Sequence, residues 1–260
     1  MNRALSVMLG LCVAASAFAQ DANESGKKQD KKPESVAKPD DSKVLAILKK
    51  VDAATKKVKT VSYNVTVKGT GTLEARTPKL TGKVILAGRA AEGLDKYFIE
   101  FKGETPNGSR VEGTMGSDAD EFFLLDPKTK TAHVDIDGSV LGAAGRWLRL
   151  LGMIEFVHPT PFSDEINGDR REMKGDKKIG GEECYVINVV YSGGQGEATW
   201  YFSKKDFLPR RVDRWQRGAT TERAATVVIL TELKADPKID TSIFKAKIPD
   251  GWTKTDEPAP

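Results

Sequence analysis

From Val61 to Lys234 most of the chain consists of short segments with the two-residue period of β-strands. In the first, Val61, Tyr63, Val65 and Val67 share one face, and polar residues alternate with them. The further predicted strands are residues 82–88, 96–102, 110–115, 121–125, 131–136, 173–179, 182–191, 197–203, 209–216 and 221–234. Gly, Pro, Asn and Asp between them favour tight turns, and therefore an antiparallel meander. A sheet this long twists and curls. The sequence predicts a mainly β (α+β) protein with one strongly curved antiparallel sheet, an open half-barrel.

The stretch from Ala198 to Arg211 carries a hairpin signal. Trp200 and Phe202 fall on one strand face, and a polar tip follows. Leu208-Pro209 restarts an extended chain, because Pro disfavours helix in the residue before it. A generic hairpin fits this stretch equally well when it is taken alone.

Two segments have helical spacing. An amphipathic helix is predicted from Asp41 or Ser42 to Lys57, with apolar Val44, Leu48 and Val51 on one side. The second segment, residues 142–157, contains three glycines and precedes a Pro-rich stop. We expect both helices to cover the concave face of the sheet and enclose an apolar cavity. The second segment is either a movable lid for that cavity or ordinary core.

The N-terminal region predicts export. Residues 1–19 combine Arg3, an apolar run and a small-x-small end, which indicates a cleaved signal peptide. Residues 20–42 are charged and almost free of apolar residues, which is typical of a disordered tether. The predicted domain is residues 43–253, and residues 254–260 form a polar tail. The expected localisation is periplasmic.

Residue types that carry chemistry are sparse. His133 and His158 have no metal-ligand spacing, and Cys184 lies in an apolar strand, where a buried thiol is the expected state. No nucleotide-binding or hydrolase motif is present. The 41 basic and 37 acidic residues give no nucleic-acid footprint. The sequence therefore predicts a non-enzymatic monomer without cofactor or metal.

Three segments in order resemble the periplasmic lipoprotein carriers of the LolA/LolB type and related lipoprotein-sorting proteins. Ser117–Pro127 is similar to that family's S-D-G-x-x-aromatic-aromatic-x-x-N/D-P strand and turn. Trp200–Val212 resembles its W-x-D-x-x-T-G-L-P-x-x-V hairpin, with Tyr201 in the place of the Trp. Ile239–Trp252 resembles its closing I-D-x-x-x-F-x-x-x-x-P-x-G. The resemblance covers roughly residues 41–254.

This resemblance implies an open curved sheet closed over by helices, with a cavity that binds the acyl chain of a lipoprotein or another lipid. Arg89 takes the place of a basic gating residue, although the family's following Pro is missing. The apolar residues expected to line the cavity are Val65, Val67, Leu86, Phe98, Phe123, Leu125, Trp147, Leu148, Leu151, Trp200 and Phe202. The alternative is an envelope sensor or scaffold domain of the same fold, which binds a protein partner.

Overall fold

The computed structural model describes residues 41–88, 96–215 and 224–260. The predicted signal peptide, nearly all of the tether and Arg89 lie outside these ranges. Within them, twelve strands form one open, curved sheet. In chain order they are β1 (Thr60–Thr70), β2 (Lys79–Ala87), β3 (Lys96–Glu104), β4 (Arg110–Ser117), β5 (Phe122–Asp126), β6 (Thr131–Asp135), β7 (Arg170–Ile179), β8 (Glu182–Val190), β9 (Glu197–Ser203), β10 (Pro209–Trp215), β11 (Ala225–Ala235) and β12 (Thr253–Thr255).

A long-range pairing joins the two halves of the sheet. The strand order is β12-β6-β5-β4-β3-β2-β1-β11-β10-β9-β8-β7, and β1 pairs with β11 in the middle. All pairings except β12 with β6 are antiparallel. The predicted hairpin is confirmed as β9 and β10, with Val212 opposite Trp200. The predicted fold class is confirmed.

Helix α1 (Asp41–Lys57) lies on the concave face of the sheet. Its apolar stripe is buried through Val44, Leu48 and Val51, as predicted, with Ile47 beside them. These residues belong to the same core as the concave-face residues Tyr63 and Trp200. The apolar stripe therefore packs into the hollow of the sheet.

The second helical segment is broken into pieces. A 3-10 stretch, Gly138–Ala144, leads into α2 (Gly145–Leu151), and a 3-10 turn, Ile154–Phe156, follows. Gly142 has a φ of +49°, and a Cβ there would lie 1.7 Å from the carbonyl oxygen of Ala259. A short helix α3 (Ser163–Ile166) comes next. None of the helices in the described ranges has both the length and the apolar character needed to span a membrane.

The convex face of the sheet is also covered at one end, and this overturns three predicted cavity residues. Phe98, Phe123 and Leu125 pack with Phe244, away from the concave core. Phe244 belongs to a 3-10 turn, Thr241–Phe244, whose start is capped by Asp240. Because both faces of β3 and β5 are buried here, apolar residues occupy both parities, and strand period alone cannot assign the face.

The C-terminal residues are ordered rather than a polar tail. Thr253–Thr255 extends the sheet as β12 beside β6. The ring Nδ1 of His133 hydrogen-bonds the carbonyl oxygen of Glu257 at 2.8 Å, and the amide of Ala259 donates to the carbonyl of Val140 at 3.0 Å. The domain therefore extends through Ala259, which is 7% exposed.

Candidate ligand-binding groove

The concave face of the sheet is divided into two regions. In the first, which we call the packed half, Phe156, Phe162, Trp200 and Phe202 are each at most 2% exposed. The ring of Phe162 meets both Trp200 and Phe202 edge-on, with centroids 5.2 Å apart in each case. Trp200 and Phe202 stack at 5.7 Å. This aromatic cluster fills the space between the strands and the loop that carries Phe162.

Hydrogen bonds fix that loop to the sheet. The hydroxyl of Tyr63, on β1, accepts from the amide of Met153 at 2.7 Å and donates to the carbonyl of Leu151 at 3.2 Å. The guanidinium of Arg171, on β7, forms a bidentate pair with Asp41 at 2.9 and 2.6 Å. It also donates to the carbonyl of Ile166. Both ends of the loop are thus held by buried or half-buried polar contacts.

A chain of polar groups runs beneath the aromatic cluster. The indole Nε1 of Trp200 donates to the hydroxyl of Tyr191 at 3.0 Å, and that hydroxyl donates to Oε1 of Glu165 at 2.7 Å. Burial, helped by the nearby charge of Glu155, raises the pKa of Glu165 to about 7. Glu155 pairs with Arg214 at 3.1 Å through one oxygen. The packed half therefore contains two buried carboxyl groups, Glu155 and Glu165, and the raised pKa of Glu165 lies near neutral pH.

The second region is an open groove of about 1250 Å³ at the other end of the concave face. Its floor consists of apolar side chains that share one strand face, namely Val67, Leu80, Phe101, Val111 and Leu124. Its opposite wall comes from α2 and the stretch before it, with Trp147 as the largest side chain. A concave space with an apolar floor is the usual form of a site for a hydrophobic small molecule.

Glycine in β3 helps to shape the groove floor. Gly103 follows Phe101 on the same strand face, and a Cβ at this position would lie 2.1 Å from the carbonyl oxygen of Lys79. The two strands approach each other more closely than a side chain allows. Gly103 therefore leaves bare backbone in the floor, where a larger residue would project into the space.

The wall of the groove carries a cation. The guanidinium carbon of Arg146 lies 4.2 Å from the centroid of the Trp147 ring, in cation–π geometry. Trp147 is 5% exposed, whereas Arg146 is exposed, and both line the groove. Ala259 and Pro260 line the same space from the C-terminal segment. The wall therefore offers an aromatic surface below and a positive charge at the mouth.

Comparisons with known proteins give matches among solved structures alone. No family model matches the chain, and no curated protein matches it significantly. LprF from Mycobacterium bovis is 10% identical, with 81% of this chain and 98% of that chain covered and a TM-score of 0.48. The Pseudomonas aeruginosa MucA/MucB complex contains a chain that is 10% identical (78% and 61% covered, TM-score 0.43).

A third match is described as a LolA superfamily protein from Nitrosomonas europaea, the group that the three sequence motifs resemble. It is 11% identical, with 77% of this chain and 96% of that chain covered and a TM-score of 0.34. With identities this low and TM-scores below 0.5, no ligand, partner or residue role is transferred from any of these proteins.

The structure separates the sequence-predicted cavity residues into three sets. Val67 and Trp147 line the open groove. The concave core also contains the following predicted residues, which do not line the groove: Val65, Leu86, Leu148, Leu151, Trp200 and Phe202. The third set lies on the convex face and consists of Phe98, Phe123 and Leu125. Sequence reasoning missed the floor residues Leu80, Phe101, Val111 and Leu124, although the parity of Leu86 and Ile99 on the same strands would have identified the first two.

The residues considered for chemistry make structural contacts. His133 is 6% exposed and holds the C-terminal segment, and His158 hydrogen-bonds within its own turn at Thr160. Cys184 is fully buried, and burial raises the pKa of its thiol to about 11, which makes it a poor nucleophile. Over the described ranges, no group of three potential metal ligands is brought together.

Proposed function

We propose that the protein is an exported, non-enzymatic binder or carrier that holds an acyl chain in the open groove. The observation that carries this proposal is the groove itself, about 1250 Å³ with a floor of apolar side chains on a rigid sheet. Burying apolar chain in such a space is favourable by about 0.8 kcal/mol per methylene. The ligand class is a lipid, or the acyl chain of a lipoprotein.

Export and a periplasmic site of action are part of this proposal. They are supported by the sequence of residues 1–19, with its basic start, apolar run and small-x-small end. Cleavage after Ala19 would be detected as a mature N-terminus at Gln20 by mass spectrometry of the exported protein.

The first test is a chain-length series of fatty acids, titrated against the purified mature protein. We expect affinity to increase with each added methylene until the groove is filled. The groove-filling variant Val111→Trp should lose this binding, because Val111 lies in the floor. Ile229→Trp is the matched control, since Ile229 is half-buried in the convex cluster of Cys184 and Tyr201. Undetectable binding across the whole series would exclude the lipid-binding function.

The alternative is a sensor or scaffold domain that binds a protein. The packed half favours this alternative, because Phe162 occupies the space between the strands and α1 that a larger lipid cavity would need. A protein-binding domain needs no cavity, and the groove would then be a surface feature. The chain-length series distinguishes the two functions, since a protein-binding domain has no reason to prefer longer acyl chains. Movement of residues 142–157 as a lid stays a prediction.

A further inference from the structure

Four of the charged strand residues that line the groove form two pairs of opposite sign. Lys102 on β3 lies directly opposite Glu112 on β4, and Glu104 lies opposite Arg110. By the two-residue strand period, these four residues lie on the face opposite the floor residues Phe101 and Val111. Opposite charges at paired positions compensate each other. Lys68 on β1 and Lys79 on β2 also line the groove, so the strands contribute a net positive charge to it.

A further acidic residue that lines the groove, Asp126, already accepts hydrogen bonds from its own turn. Asp126, at the turn after β5, accepts hydrogen bonds from the amide of Lys128 at 2.8 Å and from the hydroxyl of Thr129 at 2.9 Å. Its carboxylate serves the turn and is not held by the groove wall. Asp126 therefore does not neutralise a positive charge in the groove wall.

Arg146 differs from these residues, because it stands on the wall of the groove. It belongs to α2, it is exposed, and its guanidinium rests on Trp147. Among the described residues, no carboxylate forms an ion pair with it. The ring contact holds the guanidinium beside the apolar floor, and its N–H groups stay available for an acceptor.

We propose that the groove is selective for an anionic amphiphile, of which an acyl chain lies on the apolar floor and the anionic head group binds Arg146. This inference rests on the proposed lipid-binding function and specifies its ligand. A guanidinium forms bidentate hydrogen bonds with carboxylate and with phosphate. A fatty acid and an anionic phospholipid both carry such a head group, so the chemistry is shared and the source is decided by experiment.

The test compares palmitate with methyl palmitate, which has the same acyl chain and no charge. The mature protein should bind palmitate about tenfold more tightly, as one charge-assisted hydrogen-bonded contact allows. In Arg146→Gln this preference should disappear, while binding of methyl palmitate stays the same. Arg149→Gln is the matched control, because Arg149 is exposed on the same helix and does not line the groove. The preference in the unmodified protein should also decrease with added salt.

The outcomes separate the inference from the function on which it rests. Equal binding of palmitate and its methyl ester would overturn the selectivity while leaving lipid binding intact. An equal loss of preference in both arginine variants would also overturn it, since the effect would then come from general surface charge. Failure of both ligands to bind would remove the proposed function itself. The source of the anionic head group is decided with vesicles of phosphatidylglycerol and of phosphatidylcholine. If the protein extracts lipid from the phosphatidylglycerol vesicles alone, the ligand is an anionic phospholipid.

Discussion

The two regions of the concave face share one sheet and differ in what covers it. In the packed half, a loop inserts Phe156 and Phe162 against aromatic strand residues, and hydrogen bonds to Tyr63 hold its start. Over the open groove, the covering elements are the short helix α2 and the C-terminal segment. The same alternation of apolar residues thus produces solid core in one place and the floor of an open groove in the other.

The difference shows that the covering elements decide where a ligand is able to bind. Floor residues of the groove such as Leu80 are as buried as those under Phe162, at 1% exposed. The groove has the small residues Ala143 and Ala144 beside Trp147 in its opposite wall, whereas large aromatic residues fill the packed half. Stability and binding should therefore respond to mutation in different regions of the molecule.

The largest effect is expected for Phe162→Ala. This change removes a ring from a site with no exposed surface and leaves a closed cavity between Trp200 and Phe202. We expect the free energy of unfolding to decrease by about 3–5 kcal/mol in a urea titration. Phe101→Ala is the matched change in the groove floor, where the vacated space joins a groove already open to water. Its cost should be clearly smaller, and equal costs would show that the two regions are packed alike.

The next effect is a pH dependence that comes from Glu165. Its pKa of about 7 in the folded protein lies above the ordinary value of 4.5, because the carboxyl is buried near Glu155. A group with a raised pKa contributes stability that is complete below about pH 4.5 and is lost as the pH increases through 7. The loss should be on the order of 2–3 kcal/mol.

The matched variant for this pH dependence is Glu165→Gln, which keeps an acceptor for Tyr191 and does not ionise. Between pH 4.5 and 8, the unfolding free energy of the unmodified protein should decrease. In the variant this decrease should be smaller, because residue 165 no longer ionises. Tyr191, Glu155, Asp164 and Arg214 are the other titratable groups that act within this cluster. A slope that is identical in both proteins would assign the pH dependence to another group.

The sequence predicted the sheet well because strand signals are local. Turn residues, alternation and the hairpin at Trp200 required only neighbouring residues. The faces of β3 and β5 were not predictable in this way. Phe98 and Phe101 are both aromatic, and only the pairing of Phe98 with Ile85 under Phe244 shows which one faces away from the groove.

The division of the concave face into two regions could not be predicted from the sequence, for a different reason. Phe162 directly follows Pro161 in a stretch without periodicity, so no local pattern marks it as the residue that fills the hollow. Its role depends on Trp200 and Phe202, which are about 40 residues away in the chain. The C-terminal segment was missed likewise, since its contacts with His133 and Val140 are made through backbone groups.

The smallest effect concerns the junction between the two regions, where the hydroxyl of Tyr63 joins the end of α2 to the sheet. Tyr63→Phe leaves the amide of Met153 buried without its acceptor and removes the donor to Leu151. We expect a loss of about 1–2 kcal/mol in unfolding free energy, together with faster hydrogen exchange at the Met153 amide. Tyr201→Phe is the matched control, because its partner Asp213 keeps a bidentate pair with Arg211. If the groove is an independent region, palmitate affinity stays within about twofold in both variants, a difference of under half a kcal/mol. A larger loss of affinity in Tyr63→Phe alone would show that the packed half positions the groove wall and that the two regions act as one.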